Sequence, residues 1–400
     1  MAVLGDYMSI KHGYAFKGDF ISTANNGIVL VTPGNFAIGG GFKENKCKYF
    51  TGGYPEEYVL KPNDLIVTMT DLSKNGDTLG YSALVPDTSR IYLHNQRIGL
   101  VQIKSNEISK DYLYWFMRTR KYQKKIVATA SGSTVKHTSP SRICEIEIEL
   151  PSLDEQNKIA SVLNNIENKI YENSAINNNL EQQAQAIFKA WFVDFEPFDG
   201  EMPADWIVSK LGDIASIKTN SFSPVKNPDA QLEHYSIPAY DEQKYPVFES
   251  AAGVKSNKYI LSKNSVMISK LNPDTKRVWR PMCLSELAVS STEFIIFEAF
   301  NPAYRDFVFS IIDSAAFSDW MCAHTTGSTN SRQRTTPSAT LEFQVALPDE
   351  KTITDFCAIV TPMYDAIAAN ICENQRLAQL RDSILPKLMS GEVDVSDINL

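Results

Sequence analysis

Leu4-Gly5-Asp6-Tyr7-Met8-Ser9-Ile10-Lys11, near the start of the chain, returns 207 residues later as Leu211-Gly212-Asp213-Ile214-Ala215-Ser216-Ile217-Lys218. The echo continues outward from there. Gly132-Ser133-Thr134 returns as Gly327-Ser328-Thr329 at an offset of 195, and Leu150-Pro151 returns as Leu347-Pro348 at an offset of 197. A period near half of the 400-residue chain is too long for a solenoid repeat and implies two like-shaped domains related by a pseudo-twofold axis. Such a molecule suits a target that also comes in two halves.

Bulk composition agrees with two globular domains. Four hundred residues exceed what a single hydrophobic core usually serves, and 43% hydrophobic with 22% charged residues is ordinary for a soluble protein. No apolar run approaches the roughly 18 residues of a membrane span. The segment Met1 to Lys11 lacks the basic-then-apolar layout of a signal peptide, so no membrane partner and a cytoplasmic location are expected. The six cysteines form no C-x-x-C pair, which suggests reduced, mostly buried thiols. Cys322 and His324 come closest to a ligand pair but lack the spacing of structural zinc, so no metal ligand is expected.

Charge is unevenly placed. Residues 1–150 carry 18 Lys and Arg against 14 Asp and Glu, whereas residues 151–200 carry 3 against 8 and residues 347–400 carry 4 against 9. The acid therefore sits in two stretches that read as helices. A net charge of −8 makes the chain a poor stand-alone phosphate binder, since nonspecific nucleic-acid affinity comes from Lys and Arg displacing counterions.

The helical stretches show apolar steps of three and four. Ile159, Leu163, Ile166 and Ile170 are followed by Leu180, Ala184, Ile187 and Trp191, one apolar stripe over about nine turns and roughly 45 to 50 Å. The second copy runs Phe356, Val360, Met363, Ile367, then Leu377, Ile384 and Leu388. Both seams carry Asn at the same two places, Asn173 and Asn177, then Asn370 and Asn374, at the shared offset of 197. A polar seam residue costs stability and fixes register. Antiparallel pairing about an axis near residue 175 would set Asn173 opposite Asn374 and Asn177 opposite Asn370; the alternative is that both helices loosen mid-length and expose these amides to water. Pro362 is expected to kink or shorten the second helix, Arg381 to end its seam early, and Pro386 with Gly391 to close it.

Between these helices lie two modules of short β segments. Asp64 to Met69 matches Asn264 to Ser269, Gly99 to Ile103 matches Phe294 to Glu298, and a helix follows each at Lys110 and Arg305. The fold class expected is α+β, two similar mixed modules separated by a long antiparallel two-helix coiled coil. Candidate recognition residues lie in the loops, where side chains reach a groove without being needed for packing. In the first module these are Ser133, Thr134, Lys136 and His137, with Lys74, Asn75, Gln96 and Arg97 beside them. In the second they are Ser328, Thr329, Asn330, Arg332, Gln333 and Arg334, with Lys270, Asn272, Lys276 and Arg277. Arg and Lys bond guanine edges in the major groove, and Asn and Gln bond adenine. Each of these residues also fits a hydrophilic loop with no partner.

One tetrapeptide invites an enzyme reading. Asn301-Pro302-Ala303-Tyr304 resembles the N-P-P-Y motif with which amino-methyltransferases hold a flipped adenine. The equivalent place in the first copy is Asn106-Glu107-Ile108-Ser109, and Asn as a helix N-cap explains both without chemistry. With no P-loop, G-x-S-x-G elbow or H-E-x-x-H motif, no catalytic and no cofactor-binding residue is expected.

Two further runs suggest a family. Leu150-Pro151-Ser152-Leu153-Asp154-Glu155-Gln156, together with Ile187-Phe188-Lys189-Ala190-Trp191-Phe192-Val193-Asp194-Phe195-Glu196-Pro197, resembles the central conserved region of specificity subunits of type I restriction-modification systems. Leu380-Arg381-Asp382-Ser383-Ile384-Leu385-Pro386-Lys387-Leu388-Met389-Ser390-Gly391-Glu392 resembles the distal conserved region of the same family. The resemblance implies a non-catalytic subunit whose two target recognition domains, 1–150 and 205–346, each read one half of a bipartite double-stranded DNA site. The helices at 151–195 and 347–391, followed by a tail at 392–400, would space the halves about one DNA turn apart and dock two methyltransferase subunits, with Trp191, Phe192, Phe195 and Leu388 as docking candidates. Motor-nuclease subunits would join for restriction, and S-adenosylmethionine, ATP and Mg²⁺ would belong to those partners. The rival readings are a coiled-coil scaffold that binds only proteins and an adenine methyltransferase.

Overall fold

The strand Leu65–Thr68 is buried along its whole length because both of its faces meet apolar partners. In the computed structural model, which describes residues 2–44, 47–73, 75–326, 333–396 and 398, Leu65 and Val67 serve one core and Ile66 another. Side-chain alternation along a strand requires this split. Ser265–Ser269 repeats it, with Val266 and Ile268 turned to one core and Met267 to the other.

The chain divides into two compact units, Met1–Lys169 with Arg376–Leu400, and Ile170–Gln375. In the first, an antiparallel four-stranded sheet runs in the order Met8–His12, Ile98–Ile103, Leu65–Thr68, Ser82–Leu84. Helices Lys110–Phe116 and Arg120–Ala128 cover one face, contributing Leu113, Trp115, Tyr122 and Ile126 to its core. The other face packs on a five-stranded sheet ordered Ile21–Ser22, Lys48–Phe50, Ile28–Val31, Ile91–His94, Val59–Leu60, in which the third and fourth strands are parallel.

The second unit repeats this plan. Its four-stranded sheet is ordered Ala215–Lys218, Phe294–Ala299, Ser265–Ser269, Val278–Trp279, and helices Arg305–Ile312 and Ala315–Ala323 cover it. Its five-stranded sheet is ordered Ser221–Phe222, Lys258–Ile260, Ala288–Ser291, Gln231–Tyr235, Val247–Ser250, with Gln231–Tyr235 parallel to Ala288–Ser291. Four strands of this sheet match four of the first unit in order. The fifth does not: Ile21–Ser22 joins beside Lys48–Phe50, whereas Ser221–Phe222 joins at the opposite edge, beside Lys258–Ile260.

The two long helices are Leu153–Phe192 and Glu350–Met389, each of 40 residues and so about 60 Å long, more than the apolar stripes alone had indicated. Their starts are fixed by capping. Ser152 and Glu155 form a reciprocal box, with Ser152 N–H donating to Glu155 Oε2 (2.9 Å) and Glu155 N–H to Ser152 Oγ (3.3 Å). Asp349 does the same work in the second copy, accepting from Thr352 N–H (3.1 Å). These polar turns extend each helix ahead of its first apolar position.

Within the second unit the helices run antiparallel and their asparagines meet. Asn173 Nδ2 donates to Asn374 Oδ1 (2.9 Å) and to Glu373 Oε2 (2.7 Å), and Asn370 Nδ2 donates to Asn177 Oδ1 (2.8 Å). Asn173 is 1% and Asn177 9% exposed, so the water-exposed alternative fails for these two; Asn370 and Asn374 are half-buried.

Four expectations are corrected. The second helix passes through Pro362 without being shortened. Phe356, Val360, Tyr364 and Ile367 are buried on both sides of the proline, while Pro362 itself is exposed, where a freed carbonyl can be solvated. The seam also continues past Arg381, because Leu385 and Leu388 beyond it are buried and Arg381 Nη1 donates to Glu167 Oε2 (2.6 Å). Pro386 likewise lies inside the helix, whose last residue is Met389. Of the cysteines only Cys47 and Cys357 are buried; Cys144, Cys283 and Cys372 are half-buried and Cys322 is exposed.

Candidate nucleic-acid interface

In the first unit three polar segments converge at one end of the four-stranded sheet. Met69 is the hinge between them: its N–H donates to Arg97 O (2.9 Å) and its carbonyl accepts from Thr138 N–H (3.0 Å). Beyond it, Lys136–His137 pairs antiparallel with Thr70–Asp71, and Ser131 and His137 exchange both backbone hydrogen bonds (2.9 and 3.0 Å) to close a short loop. Gly132 has φ +94 in that loop, and a Cβ there would run into Val135 O. Ser133, Thr134 and His137 are exposed, as are Gln96 and Arg97 in the adjoining turn, and Lys136 is half-buried.

Asp71 organises the neighbouring turn. It accepts from Ser73 N–H (2.5 Å) and Thr78 Oγ1 (2.7 Å), and also from Thr78 N–H. Burial alone would raise its pKa, but these hydrogen bonds outweigh it and hold the carboxyl below its ordinary value. The turn brings exposed Asn75 close to the hairpin: Gly76, the next residue, packs near the Lys136 stem.

The second unit builds the same junction from different side chains. Lys270 N–H donates to Glu293 O (2.9 Å), and Lys270 O accepts from Thr335 N–H (3.0 Å). Arg334–Thr335 pairs with Thr325–Thr326 on one side, and Arg334 bridges to Leu271 on the other. Asn272 N–H donates to Gln333 O (2.9 Å).

Three basic side chains here are engaged by acids. Arg334 forms a two-point ion pair with Glu293, Arg277 another with Asp241 (2.7 and 2.9 Å), and Lys276 pairs with Asp313 (2.6 Å). Glu293 is held below its ordinary pKa chiefly by the hydrogen bond from Arg334. Lys276 and Arg277 are thus set against Asp313 and Asp241 within the unit, which sequence spacing could not reveal. Lys74, Ser328, Thr329, Asn330 and Arg332 lie outside the described residues.

The enzyme-like tetrapeptide takes the capping role in one copy only. Asn301 Oδ1 accepts from Ala303 N–H (3.1 Å) at the turn Pro302–Tyr304. Asn106 caps nothing; the helix Lys110–Phe116 begins after Ser109, whose N–H donates to Gln156 Oε1 (2.9 Å). Gln156 Nε2 in turn donates to Glu107 O (2.9 Å) and Pro151 O (3.0 Å), which gives the Leu150 to Gln156 run a structural reason. His324, near Cys322, stacks on Trp320 at 4.1 Å.

The sequence and the fold are similar to those of known proteins. A family model described as the type I restriction modification DNA specificity domain matches residues 2–182. The type I restriction enzyme MjaIX specificity subunit of Methanocaldococcus jannaschii is 25% identical over 333 residues, spanning 74% of this chain and 72% of that protein. The HindI specificity subunit of Haemophilus influenzae is 22% identical over 405 aligned positions, spanning 80% of this chain and 87% of that protein. Residues 2–182 thus match the type I DNA specificity domain, and most of the chain is similar to type I specificity subunits. The fold is also that of the type I restriction-modification system S subunit from M. genitalium, at a TM-score of 0.58, 15% identity and coverage of 96% and 94%.

Among the docking candidates that the specificity-subunit resemblance suggested, Phe192 and Leu388 turn inward. Phe192 packs against Phe307 and Phe356, both at 5.0 Å, and Leu388 is buried in the first unit's core. Trp191 and Phe195 are half-buried against Phe356 and Trp206. These side chains anchor the helices to their own units. Among the described residues no helix is long and apolar enough to cross a membrane.

Proposed function

We infer that this chain is the DNA sequence-recognition subunit of a type I restriction-modification complex, each module reading one half of a bipartite duplex site and leaving catalysis to partner chains. The observation that carries the reading is the repeated junction at Met69 and Lys270, where like backbone geometry presents unlike polar side chains. A conserved frame with variable tips is what two readers of different short sequences require. The match of residues 2–182 to the type I DNA specificity domain and the similarity to type I specificity subunits support it. The two reading domains are taken as 1–150 and 205–346.

The partners in this reading are two methyltransferase subunits and motor-nuclease subunits, which would hold S-adenosylmethionine, ATP and Mg²⁺. Exposed apolar side chains on the long helices, such as Tyr171, Ile176, Ile359 and Leu380, offer them contact surface that Phe192 and Leu388 do not. Selection of bound duplexes from a random pool, by the full chain with its methyltransferase, tests the reading. Two short specified blocks around an unspecified spacer are expected; a pool that emerges unselected would overturn it.

A further inference from the structure

Positions 137 and 334 are equivalent, separated by the 197 residues that also relate the paired asparagines. Each sits on the hairpin strand of its unit, flanked by strand neighbours on both sides. Each has its side chain held by a residue from a facing segment. In the first unit Thr70 Oγ1 bonds His137 Nδ1 (3.2 Å). In the second, Glu293 Oε2 accepts from Arg334 Nε (3.0 Å) and Oε1 from Nη2 (3.0 Å).

This engagement uses one edge of the guanidinium. A carboxylate on the Nε and Nη2 side leaves the end-on fork, an Nη1 hydrogen and the remaining Nη2 hydrogen, with no acceptor among the described residues. The Arg334 side chain keeps 44% of its surface exposed. A planar fork fixed in this way matches a pair of acceptors side by side, which guanine offers through O6 and N7 in the major groove.

We propose that Arg334 reads one guanine of the half-site assigned to the second module, and that Glu293 is a positioning residue that aims its free edge. The inference rests on the DNA-recognition reading above and adds a residue and a base to it. Because Glu293 offsets the charge of Arg334, the pair contributes sequence preference and little general attraction to phosphates. His137, held through Nδ1 with Nε2 turned to the other side of its ring, occupies the matching place in the first unit, so the two modules apply different chemistry at one structural position.

The test uses the full chain with its methyltransferase, selecting from randomised duplexes, for the unmodified protein, Arg334→Lys and Glu293→Gln. Arg334→Lys keeps the charge and loses the fork. It should cost about ten- to a hundredfold in preference for guanine at one base pair and leave the salt dependence of binding unchanged. Glu293→Gln should relax the same base pair while tightening binding to unrelated duplexes, since a negative charge is removed. The half-site of the first module should stay as selective as before, and melting temperatures of the variants show whether the hairpin survives. A uniform loss of affinity across all sequences, the signature of a phosphate contact, would overturn the proposal, as would an unchanged base preference in both folded variants. An unmodified protein with no preference anywhere would overturn the DNA-recognition reading itself.

Discussion

Glu167 serves two guanidiniums at once. Its carboxylate accepts from Arg118 Nη1 (3.2 Å) and Arg381 Nη1 (2.6 Å), and the Arg118 side chain is 4% exposed. Arg118 also donates to Tyr114 Oη (2.6 Å) and Gly39 O (2.9 Å) and stacks over Trp115 at 4.3 Å, so it cannot move to water without dismantling the site. Burial pushes the Glu167 pKa up, but the two arginines outweigh it and hold it below the ordinary carboxylate value. Glu167→Gln should therefore cost about 2–3 kcal/mol at neutral pH, less than for a fully enclosed pair because Glu167 keeps a third of its side chain exposed. The sign with pH follows. A lowered folded pKa gives stability that is complete above the unfolded value and is lost as pH falls through the folded one. Urea midpoints measured from pH 7 to pH 3 should fall more steeply for the unmodified protein than for Glu167→Gln; parallel curves would contradict the assignment. Sequence alone could not find this triad, because its members are separated by tens to hundreds of positions and Arg381 stands where the other copy has Ala184.

At the scale of elements, the buried asparagines are the test of what the helix pair is for. Replacing Asn173 alone by Leu leaves Glu373 and Asn374 short of a donor and should cost about 1–3 kcal/mol. Replacing Asn173, Asn177, Asn370 and Asn374 together removes the stranded amides, leaves only exposed Glu373 for water to solvate and adds apolar contact, so the melting temperature should rise while register loosens. Engineered cysteine pairs placed one turn out of register should cross-link in the fourfold variant and not in the unmodified protein. A fourfold variant that simply unfolds would show that these amides are indispensable to packing. Helices, the asparagine pairings and the central strands were legible in the sequence because apolar period and internal repeat both report them. The passage of the second helix through Pro362 was not, since it depends on which side of the helix faces water. Nor could spacing reveal that Lys276 and Arg277 are tied to Asp313 and Asp241, because those partners come from distant segments.

At the scale of the molecule, on the DNA-recognition reading, a net charge of −8 and acid-engaged arginines should make the isolated chain a weak nonspecific DNA binder. Its affinity for unrelated duplex should be no tighter than about 1 μM near 0.15 M salt, and addition of the methyltransferase should steepen the slope of log affinity against log salt by roughly one unit for each phosphate newly neutralised. An isolated chain with the full slope would place the cationic clamp here instead of on a partner. The short fifth strand carries a different message, about interchange. Ile21–Ser22 and Ser221–Phe222 follow equivalent strands yet close opposite rims of their sheets, so the two halves have drifted in their margins while keeping their inner frame. A chimera spliced just after Ile21–Ser22 or Ser221–Phe222 would hand a rim strand to a sheet with no berth for it. One spliced in the capped turns at Ser152 and Asp349 would carry each reader across whole.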